Sequence, residues 1–110
     1  MNRYFRLQRN GELDMHSQHL NEDTGEYDIL PGIAASSFAS GLDGSARFGG
    51  AWDAYDDDNG AVFILEGDVI EKLYDGVVLD TKTVKIIAKF TKADWSQMLD
   101  SGKAYDWEYI

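Results

Sequence analysis

The sequence predicts one α+β domain, spanning residues 1–110, that is built on an antiparallel β-sheet and has an α-helix near its C-terminus. A first observation is the concentration of β-branched and long aliphatic residues in residues 61–90, which is typical of strands. A second is the turn signal Asp75-Gly76 between two apolar runs. A third is the helical spacing of apolar residues after Thr91. At 110 residues, the chain can bury a modest core without disulfides.

The central strands are predicted from short apolar runs. The run AVFIL, at residues 61–65, is typical of a strand buried on both faces. Residues 69–74 and 77–79 are predicted to pair as a hairpin, with Asp75 and Gly76 as the central turn residues because both tolerate positive φ. With the strand that follows, these runs predict an antiparallel meander.

The last predicted strand covers residues 84–90. Its alternation places Lys85 and Lys89 on one face, as in a half-buried strand. The apolar residues are predicted to share the other face, and Ile87 alone breaks the pattern. Those apolar residues are Val84, Ile86, Ala88 and Phe90.

The C-terminal helix is predicted over residues 92–101. Thr91 followed by Asp94 is typical of an N-cap, and Gly102 is a stop signal. The tail, residues 104–110, alternates aromatic with acidic side chains, which predicts an edge strand or a docked arm.

The N-terminal segment carries a hairpin signal. Asn10-Gly11 separates two alternating runs, and this pair favours a two-residue hairpin turn. We therefore predict that residues 3–8 pair with residues 12–16.

Three segments lack a clear strand period. Residues 17–28 are polar and acidic with a Thr-Gly turn, which predicts an exposed loop. Residues 33–42 favour one or two turns of helix, with Ser36 or Ser37 near the N-cap. The segment at residues 52–60 predicts an acidic turn or loop.

Negative charge is confined to the first two-thirds of the chain. Residues 10–71 carry fourteen acids against Arg47 alone, whereas residues 1–9 carry three arginines and residues 72–110 are balanced. Such a surface repels nucleic-acid phosphates, so direct DNA or RNA binding is not expected. It favours a basic protein surface, where carboxylates can occupy the places of phosphates. Solubility alone is the alternative explanation of this charge.

We therefore predict an acidic, non-enzymatic inhibitor that covers a basic, nucleic-acid-binding surface of a partner. In size and charge the chain resembles small phage and mobile-element proteins that inhibit nucleases or CRISPR effectors, which implies a bacterial host protein as the partner. Tyr and Trp beside the acids would anchor such an interface. The predicted partner-binding residues are Trp52, Asp53, Tyr55, Asp56, Asp57, Asp58, Glu22, Asp23 and Glu26.

Cysteine content and apolar patterning limit the compartments and cofactors that are expected for this chain. The absence of cysteine fits a reducing compartment and excludes zinc ribbons, iron–sulfur clusters and thiol nucleophiles. The charged N-terminus is not a signal peptide, and no apolar run approaches the roughly 20 residues that span a bilayer. We expect a cytoplasmic protein that uses no membrane and no cofactor.

Metal sites are weakly indicated. The segment DDDNG, at residues 56–60, followed by Glu66 suggests a calcium loop, but Tyr55 occupies the first ligand position. A water-rich divalent site at Asp53 and the aspartates after Tyr55 stays open. His16 and His19 would need a third ligand, such as Glu22 or Asp23. We predict no metal.

Two other functions are alternatives. The order of the segments YFRLQ, GIAASSF and VFILEGDVIE resembles compact ADP-ribosyltransferase-like domains that use NAD. The resemblance implies Arg6 at the NAD phosphate or ribose, Ser36 or Ser37 at the nicotinamide ribose, and Glu66 or Glu71 as the catalytic carboxylate. The chain lacks the Ser-Thr-Ser triplet and the Glu-x-Glu pair of that pattern. The second alternative, a phage structural or assembly component, predicts a homo-oligomer.

Overall fold

The predicted α+β class is confirmed. A computed structural model describes residues 2–8, 11–21, 23–42 and 60–107. The C-terminal helix, α1, spans Lys92–Asp100, and 3₁₀ helices lie at Ala39–Leu42 and Lys103–Trp107. The strands of the described ranges are β1 Tyr4–Gln8, β2 Gln18–Leu20, β3 Tyr27–Ile29, β4 Gly32–Ser36, β5 Ala61–Glu66, β6 Val69–Lys72, β7 Gly76–Asp80 and β8 Lys85–Thr91.

Six of the described strands form an antiparallel sheet, the main sheet, in the order β6-β7-β4-β1-β5-β8. β2 and β3 pair separately as a hairpin. The predicted strands of residues 61–90 all lie in the main sheet, but their order is not a simple meander, because β4 and β1 separate β7 from β5. β1, β4 and all but the last residue of β5 are buried along their length, as expected for central strands.

The predicted N-terminal hairpin is wrong. β1 pairs with β5 from Tyr4 opposite Leu65 to Gln8 opposite Ala61, and with β4 at Phe5 opposite Ser36. Both sides of β1 are thus taken by distant strands, and residues 12–16 are not in a strand. Burial of all five β1 residues outweighs the local turn signal.

The hairpin of β6 and β7 is confirmed, but its turn is displaced by one residue. The amide of Leu73 donates to the carbonyl of Gly76 at 2.9 Å, so Tyr74 and Asp75 are the central residues. Neither has positive φ, and nor does Gly76. The turn therefore does not need the positive φ on which its prediction was based.

The predicted helix over residues 33–42 is wrong in its first half, where the chain forms β4. Residues 32–36 pair with β7, and Ile33, Ala34 and Ala35 are fully buried. A single 3₁₀ turn, Ala39–Leu42, follows. Ser36 ends a strand and caps no α-helix, because pairing with β7 overrides the helix propensity of these small residues.

Both strands at the ends of the described main sheet carry a bulge. Ile64 and Leu65 of β5 face Ala88 and Ile86, so Ile87 is an extra residue in β8. Likewise, Val69 and Glu71 of β6 face Leu79 and Val78, which leaves Ile70 as the extra residue.

The bulge at Ile87 overturns the predicted single apolar face of the last strand. Ala88 and Phe90 pack with the core on the helix side of the sheet, whereas Val84 packs with the core on the other side. Lys89 lies over the Phe63 ring at 5.4 Å, on that second side. One inserted residue exchanges the faces, because side chains alternate along a strand.

The helix-side core is built around Trp95. Its ring lies 5.8 Å from those of Phe5 and Phe90, and it is fully buried. Thr91 Oγ1 accepts a hydrogen bond from the amide of Asp94, which confirms the predicted N-cap. Gly102 has a φ of 81°, as a C-terminal stop requires.

The described part of the tail is a docked 3₁₀ helix, and the edge-strand alternative is wrong for residues 103–107. The ring of Trp107 packs edge-on against Phe90 at 5.4 Å. Within the described ranges, no helix is long and apolar enough to cross a membrane.

We expect Gly32→Ala to lower the free energy of unfolding by about 2 kcal/mol or more, because a Cβ there would collide with the carbonyl oxygen of Leu79. Gly25→Ala is the matched control. Gly25 has open space around it but a φ of +72°, so its expected cost is about 1 kcal/mol. Urea unfolding measures both, and an equal or smaller loss for Gly32→Ala would show that β4 and β7 do not approach this closely.

Candidate functional site

The acidic loop predicted at residues 17–28 is instead a hairpin. Gln18–Leu20 pairs with Tyr27–Ile29 in antiparallel register. The amide of Asn21 donates to the carbonyl of Glu26 at 2.8 Å, and Gly25, with a φ of 72°, closes the turn. The Thr24-Gly25 turn was thus predicted correctly, but the strands flanking it were missed.

Ser17 fixes the hairpin to the main sheet. Its amide donates to the carbonyl of Gly32 at 2.9 Å, and its own carbonyl accepts from the amide of Leu30 at 2.7 Å. Its hydroxyl oxygen accepts from the amide of Ala34 at 2.9 Å. The hydroxyl of Thr81 also donates to the carbonyl of Met15 at 2.7 Å, so the base of the hairpin is held at the start of β4.

Arg6, on the neighbouring strand β1, also bonds to Ala34. Among the described residues, β1 and β4 pair at Phe5 and Ser36, and the Arg6 guanidinium donates from Nη1 to the carbonyl of Ala34 at 3.2 Å. Its Nε donates to Gln8 Oε1 at 3.3 Å. Burial lowers the pKa of Arg6 to about 10, and the carboxylate of Asp14 acts in the opposite direction.

The hairpin presents an exposed surface that combines acids with apolar side chains. Tyr27 is 65% exposed and Ile29 is 71% exposed, and two exposed apolar side chains so close together form a small apolar patch. Because strand side chains alternate, Tyr27 and Ile29 project from one face of β3 and Asp28 from the other. Asp23, Glu26 and Asp28 are exposed on the same hairpin, so acids and apolar side chains are presented on both of its faces. We call these five residues the hairpin surface: Asp23, Glu26, Tyr27, Asp28 and Ile29.

No basic residue lies close to the hairpin surface in the sequence. Residues 10–46 contain no lysine or arginine. The amide Nδ2 of Asn21 donates to Asp28 Oδ2 at 3.3 Å, which orients that carboxylate without neutralising it. The hairpin surface therefore combines three carboxylates with two exposed apolar side chains.

The predicted partner-binding residues fall into two groups. Asp23 and Glu26 lie on the hairpin surface. The other predicted residues lie outside the described ranges: Glu22, Trp52, Asp53, Tyr55, Asp56, Asp57 and Asp58.

The residues implied by the ADP-ribosyltransferase resemblance lie on four strands. Arg6 and Ser36 are on the neighbouring strands β1 and β4, and both are buried. The Ser36 hydroxyl donates to the carbonyl of Phe38 at 2.8 Å. Glu66 is half-buried at the end of β5, whereas Glu71 is exposed on β6, with β1, β4 and β7 between those two strands. The guanidinium and the hydroxyl hold backbone groups, and the two carboxylates lie apart in the sheet.

Metal ligation was predicted only as an alternative. Within the described ranges, no group of three or more His, Cys, Asp or Glu side chains is placed to hold a metal ion. His16 Nδ1 lies 3.3 Å from the carbonyl oxygen of Leu30, beside the base of the hairpin. The calcium-like segment falls outside the described ranges except for Gly60.

Comparison with protein-family models, curated protein sequences and solved structures finds no match for this chain.

Sequence reasoning missed Tyr27, Asp28 and Ile29. Alternating residues after the Thr24-Gly25 turn are a hairpin signal. The same kind of signal at Asn10-Gly11 led to the wrong prediction of an N-terminal hairpin. The signal is short, and only the anchor at Ser17 shows which of the two hairpins forms.

We expect Ser17→Ala to destabilise the protein by about 1–3 kcal/mol, because it leaves the buried amide of Ala34 without its acceptor. Ser101→Ala is the control, since that exposed hydroxyl bonds to the carbonyl of Met98 at a helix end. Hydrogen exchange should become faster at Ala34 and in the β2–β3 hairpin of Ser17→Ala. Unchanged exchange at both places would show that Ser17 does not anchor the hairpin.

Proposed function

We propose that this chain is an acidic, non-enzymatic protein-binding inhibitor that covers a basic, nucleic-acid-binding surface of a partner protein. One observation carries the proposal: Tyr27 and Ile29 are 65% and 71% exposed on a hairpin that also carries Asp23, Glu26 and Asp28. Exposed apolar side chains with a rim of charge are typical of a protein interface.

The two kinds of side chain contribute differently. Burying the exposed parts of Tyr27 and Ile29 in an interface contributes about 1–2 kcal/mol each. The carboxylates contribute mainly to the association rate and to selection of a positively charged partner. Opposite Lys and Arg, they occupy the positions that nucleic-acid phosphates would take.

The chemistry of the surface defines the partner class. A Lys/Arg-rich surface that normally binds nucleic acid complements both the carboxylates and the net charge of −10. Nucleases and CRISPR effectors of a bacterial host have such surfaces, and we propose a partner of this kind, encountered in the host cytoplasm. The acids of residues 53–58 add to the net negative charge that favours such a partner.

Reversal of the hairpin charge should abolish binding. The test uses wild-type protein, the Asp23→Lys, Glu26→Lys, Asp28→Lys triple variant and the Tyr27→Ala, Ile29→Ala double variant as baits in a bacterial lysate, with quantitative mass spectrometry. We expect nucleic-acid-binding proteins to be enriched by the wild type and to fall about tenfold or more with either variant. Binding of the purified partner should weaken steeply with added salt.

The matched control reverses three exposed acids that are not part of the hairpin, Asp68→Lys, Asp100→Lys and Asp106→Lys, which changes the net charge equally. This variant should retain the partner and its salt dependence. The purified partner should also lose nucleic-acid binding when the wild-type chain is added. Partner capture that survives the hairpin reversal, or that is insensitive to salt, would contradict the proposal.

The predicted partner-binding aspartates outside the hairpin, at residues 56–58, are tested separately. Reversal of Asp56, Asp57 and Asp58 to Lys should weaken binding to the partner further if that segment belongs to the same interface. The same pull-down measures it, with the triple variants compared singly and combined. Unchanged binding would restrict the interface to the hairpin surface.

A further inference from the structure

An open cleft of about 460 Å³ lies at the other end of the main sheet from the hairpin. The hairpin is anchored at Gly32, where β4 begins, whereas the cleft includes Ser37 and Phe38, which follow the end of β4. The N-terminal segment and the β6–β7 turn supply the other walls. The charged and aromatic residues that line the cleft are Arg3, Tyr4, Phe38, Lys72, Tyr74 and Asp75.

The cleft is cationic although the chain is strongly acidic. Arg3 and Lys72 line it, and Asp75 is the acid among its lining residues. A net positive cleft in a chain of charge −10 is not explained by the overall composition. Such a cleft selects an anion.

Arg3 is held in place for this role. The Cζ of its guanidinium lies 5.0 Å from the ring centroid of Trp107, which is a cation–π distance. Its Nε is buried and has no hydrogen-bond partner among the described residues. A buried donor of this kind is stabilised when an acceptor reaches it.

Aromatic and apolar side chains form the rest of the cleft. Phe38 is 56% exposed and Tyr74 is fully exposed, while Val77 is buried. Flat rings beside a cationic wall suit a ligand with an apolar or planar body and one anionic group. The volume is within the range of about 300–1,000 Å³ for small-molecule sites.

We propose that this cleft binds a small organic anion, a carboxylate or phosphate monoester on a planar apolar body. The anionic group lies between Arg3 and Lys72, and the body lies against Phe38 and Tyr74. The site is independent of the hairpin surface. A long polyanion is disfavoured because the rest of the chain repels it.

Nuclear magnetic resonance titration with ¹⁵N-labelled full-length protein tests the site, with benzoate and phenyl phosphate as probes and benzyl alcohol as the neutral control. We expect saturable shifts at the Arg3 Nε–H and at the amides of Gly76 and Val77 with at least one anion. The anion that binds more tightly identifies the source as carboxylate or phosphate. Lys72→Gln should weaken that binding by about tenfold, as expected for loss of a charge-assisted hydrogen bond.

Lys85→Gln is the control with the same charge change, because Lys85 is exposed on β8 at the opposite edge of the described main sheet. It should leave the affinity unchanged. The spectrum of each unliganded variant establishes that it is folded. Shifts that do not saturate, equal binding of benzyl alcohol, or equal weakening by Lys85→Gln would overturn the proposal.

Discussion

The hydrogen bonds that Ser17 and Arg6 make to Ala34 hold two parts of this molecule together. Ala34 faces Val78 of β7 on one side, and the described pairing of β4 with β1 is Phe5 opposite Ser36. Ala34 is fully buried, so its peptide groups need hydrogen-bond partners. Ser17 Oγ accepts from its amide and Arg6 Nη1 donates to its carbonyl. Desolvation of the guanidinium, seen in its lowered pKa, opposes folding, and its hydrogen bonds offset that cost. The hairpin is thus joined to the main sheet at Ala34, and the bonds from Ser17 to Gly32 and from Thr81 to Met15 strengthen the same junction.

Local signals predicted the parts of the fold that depend on local interactions. The N-cap at Thr91, the stop at Gly102 and the buried strand β5 were all readable because each is encoded within a few residues. The neighbours of β1 were not readable, since its partners β4 and β5 are contributed by distant residues. β4 itself looks helical in isolation and becomes a strand because β7 pairs along it.

The candidate site was predicted in its charge but not in its shape. Asp23 and Glu26 were identified from the acidic composition of their segment, whereas Tyr27 and Ile29 become visible only when β3 is known to be an exposed strand. The separation of charge along the sequence is also incomplete in space. Glu66 lies opposite Lys85 across β5 and β8, and Lys72 follows Glu71 on β6. Pairing of distant strands mixes acids and lysines that the sequence keeps apart.

The bulges at Ile70 and Ile87 affect whether copies of this protein associate at high concentration. Outer strands with free backbone groups template association between copies, and a bulge with nearby lysines disrupts that pairing. In the described main sheet, β6 and β8 each combine a bulge with lysine, so their exposed isoleucines do not form a flat apolar edge. The proposed inhibitor must at least equal its target in number when it covers that target one to one. Edges that disfavour pairing between copies favour such an abundance.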